Sequence, residues 1–326
     1  MSTALNPKEE LSEGFLRVLR EEVGHAVSSL GDLKVNQAEA VHEARRHTKR
    51  VRALLRLLRQ ELGKGRYAIE NNWFREIARE LSPARDRQVV ADRARELLAG
   101  SENVPSSEIS AELEAALEKW SSRDVREILS GTKIASLVKR LQLGERRLSK
   151  WSPLSNKLSP YIGSMEHAYR QGRKMLRTSV ASPSTENLHE WRKRVKYLFY
   201  QLEVFTKEMP KVVRNDLRLA EDLGDVLGIY HDSVLLEQAL EGELKQVIPE
   251  LLRSALQKRL VVEKEELREH AFYLGRCLFA ESPRSFGKRQ RAYWKAQAER
   301  AIKSPRELPS HAPAIATSEA IASGSV

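Results

Sequence analysis

The sequence contains very little cysteine and no long apolar run. Cys277 is the only cysteine among 326 residues, which excludes a disulfide framework and a metal site built from cysteines. No apolar stretch approaches the roughly 18 residues that a membrane-spanning helix requires. The N-terminus lacks the charged start and apolar core of a signal peptide. We therefore expect a soluble, cytoplasmic protein without a membrane partner.

Aromatic residues are also scarce, and acidic residues are fewer than basic ones. The chain has 56 Lys and Arg against 45 Asp and Glu, which gives a net charge of +11, and aromatic residues make up 6% of it. The basic excess favours a polyanionic partner such as nucleic acid, polyphosphate or an anionic membrane surface. Proteins that bind single-stranded nucleic acid usually stack bases on aromatic side chains. The composition therefore favours a ligand that offers phosphates rather than bases.

Residues 41–62 carry the strongest single pattern. Apolar or small residues recur in steps of four, three, four, three and four, at Ala44, Thr48, Val51, Leu55, Leu58 and Leu62. This spacing predicts one buried face of an α-helix. Residues 42–59 include seven Lys or Arg and one acid, Glu43. Like charges three or four residues apart destabilise a helix, so we expect either an anionic ligand or an acidic partner helix to compensate them.

The rest of the chain also has helical periodicity, and no stretch has sustained strand alternation. We predict an all-α protein. Gly63 and Gly65 should end the first basic helix, and Ser82 followed by Pro83 is typical of a helix start. The last residues, 304–326, are rich in Ser, Pro and Ala, which predicts a disordered tail. Predicted helices cover residues 10–30, 73–81, 85–98, 109–120, 123–129, 130–151, 159–178, 188–207, 212–227, 233–244, 249–280 and 284–303.

An internal repeat relates the two halves of the chain. A shift of 147 residues places His42 on His189, and the matching basic and apolar residues follow in register. A second match aligns residues 81–86 with 227–232, so that Asp86 meets Asp232. Two matched segments at a nearly constant offset predict two similar helical bundles in tandem. Asp86 and Asp232 are interpreted as structural, and Asp232 as the cap of a helix that begins at Ser233.

These segments resemble the CHAD family, the conserved-histidine α-helical domain. The residues that carry the resemblance are 41–52, 81–86, 188–196 and 227–232, and the similarity extends over residues 8–297. It implies two four-helix bundles related by a pseudo-twofold axis, which we place at about residues 8–130 and 131–297, with basic helices around a shared groove or pore. It also implies binding of inorganic polyphosphate, often at polyphosphate granules.

The candidate binding residues lie on three helices. Four basic residues on the helix before His189 have helical spacing and no acid among them, so this helix is expected to form one wall of the groove. The predicted polyphosphate-binding residues are His42, Arg45, Arg46, Lys49, Arg52, Arg56, Arg170, Arg173, Lys174, Arg177, His189, Arg192, Lys193 and Lys196.

Other functions remain open at this point. Nucleic-acid binding is the main alternative, because its electrostatic footprint is the same. Phosphotransfer through His189 is a weaker one, since the sequence around it is similar to a sensor-kinase acceptor box but lacks the proline expected after it. No ligand-spaced histidine or acid accompanies both His42 and His189. We therefore expect no metal, no cofactor and no enzymatic activity, and we leave the oligomeric state undetermined.

Overall fold

The structure is a computed structural model that describes residues 4–31, 37–99, 114–121, 130–151, 154–207, 209–211 and 213–303. Within these residues there are helices and no strands, so the predicted all-α class is confirmed. The tail 304–326 and the predicted helix 123–129 lie outside the described residues. The helices are α1 Leu11–Gly31, α2 Gln37–Leu57, α3 Arg59–Glu80, α4 Ser82–Ala99, α5 114–121, α6 Gly131–Leu148, α7 Ser159–Ala181, α8 Thr185–Thr206, α9 Asn215–Glu241, α10 Glu250–Leu278 and α11 Pro283–Lys303.

The first basic helix has the predicted buried face. Ala44, Val51, Leu55 and Leu58 are fully buried. Helical hydrogen bonds continue through the single turn residue at position 58 up to residue 62. The chain then bends at Gly63, whose φ of 70° lies in the left-handed region that glycine adopts without steric cost. The helix end predicted at Gly63 is thus confirmed.

The helices pack as two groups that share one core. Helices α1, α2, α3 and α6 pack on each other, and α7 to α11 form the second group. α6 was predicted to open the second bundle at residue 131. It packs instead on α1 and α3, because its apolar face meets their apolar faces, so this helix belongs with the first group. The pseudo-twofold relation between the halves remains a prediction.

Contacts between the two groups place the basic helices side by side. α2 packs directly on α8, and α4 packs on α9. A smaller apolar cluster joins α4 and α5 to the end of α9 and the start of α10. The face of α8 that the repeat aligns with the apolar face of α2 is buried as predicted, at Trp191, Leu198, Leu202 and Phe205. Because the apolar faces of α2 and α8 lie in the core, their basic faces lie on the opposite side of each helix.

α9 differs from its prediction. Two helices, 212–227 and 233–244, were expected, but α9 is one continuous helix from Asn215 to Glu241. Asp232 therefore lies inside a helix, and its predicted role as a cap is wrong. The helix continues through Gly228, which is buried within α9. At the start of α8, by contrast, the Ser184 hydroxyl caps the helix by accepting a hydrogen bond from the backbone amide of Asn187.

Candidate functional site

A cavity of about 780 Å³ lies between α2, α4, α8 and α9. We call it the central cleft. It is formed where the basic face of α2 and the basic face of α8 meet α4 and α9. Both repeat histidines line it, as the repeat predicted. Nine of the fourteen predicted binding residues line it: His42, Arg45, Arg46, Lys49, Arg52, His189, Arg192, Lys193 and Lys196.

Within the described residues, Lys49 and Arg192 are the cations of the cleft that form neither an ion pair nor a hydrogen bond. Arg52 has no ion pair either, but it donates a hydrogen bond to the Asn71 side chain. Lys49 and Arg192 belong to opposite helices, α2 and α8. The Nε atom of Arg192 is buried without a hydrogen-bond partner among those residues. Burial, together with the charges of Arg45, Arg192 and Lys196, lowers the pKa of Lys49 to about 7. The centre of the cleft is therefore strongly favourable for an anion.

Other cations of the cleft are held by the protein. Arg45 donates a hydrogen bond to the carbonyl of Ala78 at 3.1 Å and another to the Ser82 hydroxyl. The Arg45 Nη2 atom also lies 3.9 Å from a carboxylate oxygen of Asp86. Lys196 pairs with Asp225 at 2.8 Å. These contacts fix the side chains in the wall, so that they present charge to the cleft from set positions.

Two of the predicted cations lie at the rim. Arg46 pairs with Glu43, and Lys193 pairs with Glu190, and all four side chains keep substantial exposure to solvent. Surface pairs of this kind are weak and are screened by salt. Arg46 and Lys193 can therefore turn toward a ligand at little cost.

The cleft contains three histidines rather than the two that the repeat predicted. The ring of His189 lies 4.4 Å from the ring of His231, centroid to centroid. Burial, with Arg192 and His189 nearby, lowers the pKa of His231 to about 4. Burial and the charge of Lys193 also lower the pKa of His189. Both imidazoles are neutral near pH 7 and can each donate one hydrogen bond to an anion. The repeat did not single out His231, although this residue lies within the matched segment 227–232, because its counterpart in the first half is Arg85 and not a histidine.

Acidic residues from α9 and neighbouring helices also enter the cleft. Five carboxylates line it against eight Lys and Arg: Asp86, Glu203, Glu221, Asp225 and Asp232. Burial and the neighbouring charge of Asp225 raise the pKa of Glu221. The acidic partner helix considered from the sequence is thus present, and it neutralises part of the basic surface. The remaining excess of cations leaves the cleft basic.

Arg50 is a further charged residue that the sequence patterns did not single out. Its guanidinium lies 2.7 Å from Glu203 on α8 and 3.8 Å from Glu22 on α1. All three side chains are at most 15% exposed. The pair with Glu203 therefore ties α2 to α8 along one edge of the cleft.

One glycine on α9 makes room for a cation of α8. A Cβ atom at position 224 would come within 2.9 Å of the Lys196 side chain. At Gly228 the nearest atom of Arg192 would be 3.6 Å away, an ordinary van der Waals contact. A side chain at position 224 would therefore displace the flexible end of Lys196.

The predicted wall on α7 is wrong. None of its four cations lines the central cleft. Arg170 pairs with Glu166 at 2.8 Å, and Arg173 donates to the carbonyl of Phe279. The cations of α7 are kept out of the cleft by the packing of the opposite face of this helix. That face includes the buried Tyr169 and Leu176 and packs on α8, α10 and α11. The basic face, which also carries Lys174 and Arg177, is consequently turned away from the cleft, and both residues are exposed.

Arg56 also lies outside the cleft lining, and it covers an aromatic ring. Its guanidinium carbon is 3.8 Å from the centroid of Tyr197, which does line the cleft. The other two aromatic residues of the cleft, Phe199 and Tyr200, are buried to more than 90%. The aromatic faces are thus already occupied, which leaves little surface on which a base could stack.

Comparisons with known proteins agree with the fold. The model of the CHAD domain family matches residues 17–241, which include every residue that lines the central cleft. The crystal structure of the CHAD domain from the plant Ricinus communis is similar, with a TM-score of 0.61 and 17% sequence identity. The similarity covers 86% of this chain and 95% of that one, and at this identity it shows the fold alone. A search of curated proteins finds no match. Within the described residues, no helix is long and apolar enough to cross a membrane.

Proposed function

Because the chain belongs to the CHAD domain family, we propose that its central cleft binds inorganic polyphosphate without catalysing a reaction. The observation that carries the proposal is the facing pair of Lys49 and Arg192, which have no ion-pair partner among the described residues. Each phosphate of the chain offers oxygens that accept from Arg bidentately and from Lys as a point charge. Burial and the repulsion of neighbouring cations, Arg192 among them, lower the pKa of Lys49, and a phosphate bound between the two side chains would relieve that repulsion.

The shape of the cleft supports a thin ligand. Its basic residues line a cavity between helices rather than an open face. A polyphosphate chain can enter such a cavity with its full density of charge. A DNA duplex is wider than its own major groove, which is about 12 Å across, so it must lie on an open surface. Single-stranded nucleic acid is narrower, but the covered face of Tyr197 removes the base-stacking platform that it uses.

Two double variants, each of which removes two positive charges, test the site. Replacement of Lys49 and Arg192 by Gln removes two cations from the cleft. Replacement of Lys174 and Arg177 by Gln removes the same two residue types from the exposed face of α7. Hydrogen bonds to charged groups contribute about 1.5–3 kcal/mol each, so we expect the cleft variant to bind polyphosphate at least about 100-fold more weakly, and the α7 variant to bind within about threefold of wild type.

The measurement is isothermal titration of polyphosphate at near-physiological salt, with circular dichroism to verify that each variant folds. Equal losses in the two variants would mean that net charge alone governs binding and would refute the site. A loss of binding confined to the α7 variant would instead support the sequence prediction that α7 forms a wall of the binding groove.

Nucleic-acid binding is tested separately by competition. Both ligands should bind more weakly as salt rises, so salt dependence cannot separate them. At equal phosphate concentration and equal salt, polyphosphate should displace duplex DNA, and single-stranded DNA should rank between the two. A higher affinity for duplex DNA, or a dependence on base sequence, would replace the polyphosphate proposal with the nucleic-acid one.

Location at polyphosphate granules is the cellular counterpart of this proposal. In cells that accumulate such granules, a fluorescent fusion of the chain should co-localise with them. The Lys49→Gln, Arg192→Gln variant should not, while the α7 variant should. Granule location of both variants would show that location does not depend on the cleft.

A further inference from the structure

A second group of titratable side chains lies outside the central cleft, between α1 and α2. It consists of Glu22 and His25 on α1 and His47 on α2. One ligand atom from each of these residues lies within 4.8 Å of the others. Glu22 is 2% exposed and His47 is 8% exposed. We propose that this group binds a divalent transition-metal ion, with zinc as the best match, and that the ion joins α1 to α2.

The donor set suits such an ion. Two imidazoles and one carboxylate are typical ligands of zinc and of other first-row divalent metals. In the tetrahedral geometry of zinc, with bonds of about 2.0–2.2 Å, two atoms bonded to the ion lie about 3.4 Å apart. The ligand atoms of this group lie within 4.8 Å of one another, so they have to close by up to about 1.4 Å. The ring of His25 is only partly buried, so it can make this movement by rotation.

A simple hydrogen bond does not account for all three residues. The His47 Nδ1 atom lies 2.7 Å from the Glu22 Oε2 atom, which explains that pair. The ring of His25 lies 5.0 Å from the ring of His47, and the His25 Nδ1 atom is buried without a hydrogen-bond partner among the described residues. Buried polar atoms normally have a partner. A metal bound between the three side chains supplies one.

The side chains around the group allow a metal ion to take the place of the proton on the His47 Nδ1 atom. When the metal binds His47 Nδ1, the proton shared with Glu22 moves to Nε2 of the same ring. Nε2 lies 3.7 Å from a carboxylate oxygen of Glu43, which can accept that proton's hydrogen bond after a small shift. Arg50 approaches the other oxygen of Glu22, Oε1, at 3.8 Å, so Oε2 remains the metal ligand. The imidazole stays neutral throughout, and no other reactant is needed.

The test uses full-length, tag-free protein in a Cys277→Ser background, because the exposed thiol of Cys277 could itself bind zinc. His25→Ala is the diagnostic variant, since it removes one ligand and leaves the hydrogen bond between Glu22 and His47 intact. His270→Ala is the matched control, as His270 is exposed on α10. Zinc chloride is titrated calorimetrically at pH 7.5, and the absorption bands of bound Co²⁺ report the coordination.

We expect one zinc per chain in the background protein and in His270→Ala. His25→Ala should bind at least about 10-fold more weakly, because even the loss of a residue that only supports a ligand costs about 10- to 100-fold in metal affinity. Without metal, the three proteins should melt at similar temperatures. Absence of zinc binding in the background protein, or equal affinity in His25→Ala and His270→Ala, would overturn the proposal. Loss of zinc binding through His231→Ala instead would also overturn it, by moving the site to the central cleft.

Discussion

Polyphosphate binding should weaken as pH rises above neutrality, because Lys49 loses its proton there in the ligand-free protein. Burial and the cations around it lower the pKa of Lys49 from 10.5 to about 7. A bound phosphate favours the charged amine and raises its pKa again. Above pH 7, binding therefore requires the protein to take up a proton. In the ligand-free protein the neighbouring imidazoles of His189 and His231 are already neutral above pH 7, because burial and nearby cations lower their pKa values.

The size of the effect follows from the two pKa values of Lys49. If the ligand restores the full value of 10.5 from about 7, the dissociation constant rises by at most about 50-fold between pH 7 and pH 9. At pH 8 the protein should take up about 0.9 proton for each ligand bound. Calorimetry in buffers of different ionisation enthalpy measures this uptake directly. Interior phosphates of the chain stay ionised over the same range and do not change it.

Lys49→Arg is the control for this prediction, because a guanidinium stays charged at all these pH values. The variant should bind with little change between pH 7 and pH 9 and should take up almost no proton. An affinity of the wild-type protein that changes less than about threefold over this range would refute the reasoning. So would a pH profile that is the same in wild type and in Lys49→Arg.

Three further predictions concern the walls of the central cleft. Gly224→Ala should displace Lys196, because the new Cβ atom would come within 2.9 Å of that side chain, and a titration should show polyphosphate binding weakened several-fold. Gly228→Ala is the control: its Cβ atom would lie 3.6 Å from the nearest atom, so the variant should bind polyphosphate as wild type does. Glu203→Gln should lower the free energy of unfolding in urea by about 1–3 kcal/mol without weakening polyphosphate binding, because it removes the closer of the two carboxylates that neutralise the partly buried Arg50. Lys49→Met should raise the melting temperature at pH 6, where the wild-type fold carries a buried charge. That gain should shrink toward pH 9, since the lowered pKa lets the folded wild-type protein shed the proton that the unfolded chain keeps. A gain that grows with pH would contradict this assignment of the charge.

The predicted class and the two basic helices depended on local properties that the chain carries by itself. A helix has 3.6 residues per turn, so the spacing of Val51, Leu55 and Leu58 placed them on one face wherever the helix packs. The end of that helix at Gly63 was also local, because only glycine adopts its φ of 70° readily. The internal repeat paired His42 with His189, and both line the same cavity.

What could not be predicted depended on which faces meet across the core. The cations of α7 have the same spacing as those of α2, yet the apolar face of α7 packs on α8, α10 and α11 and turns them outward. α6 joined the first group of helices for a similar reason, since an apolar face does not specify its partner in advance.

The electrostatics of the cleft likewise arose from residues that are distant in sequence. The sequence by itself determined that two helices carry basic faces opposite to buried ones. Only the tertiary structure buried Lys49 and brought Arg192 near it, and both effects lower the pKa of Lys49. Only the tertiary structure placed His231 and the carboxylates of α9 in the same cavity. A charge interaction depends on distance and burial, and neither quantity exists until the helices have packed.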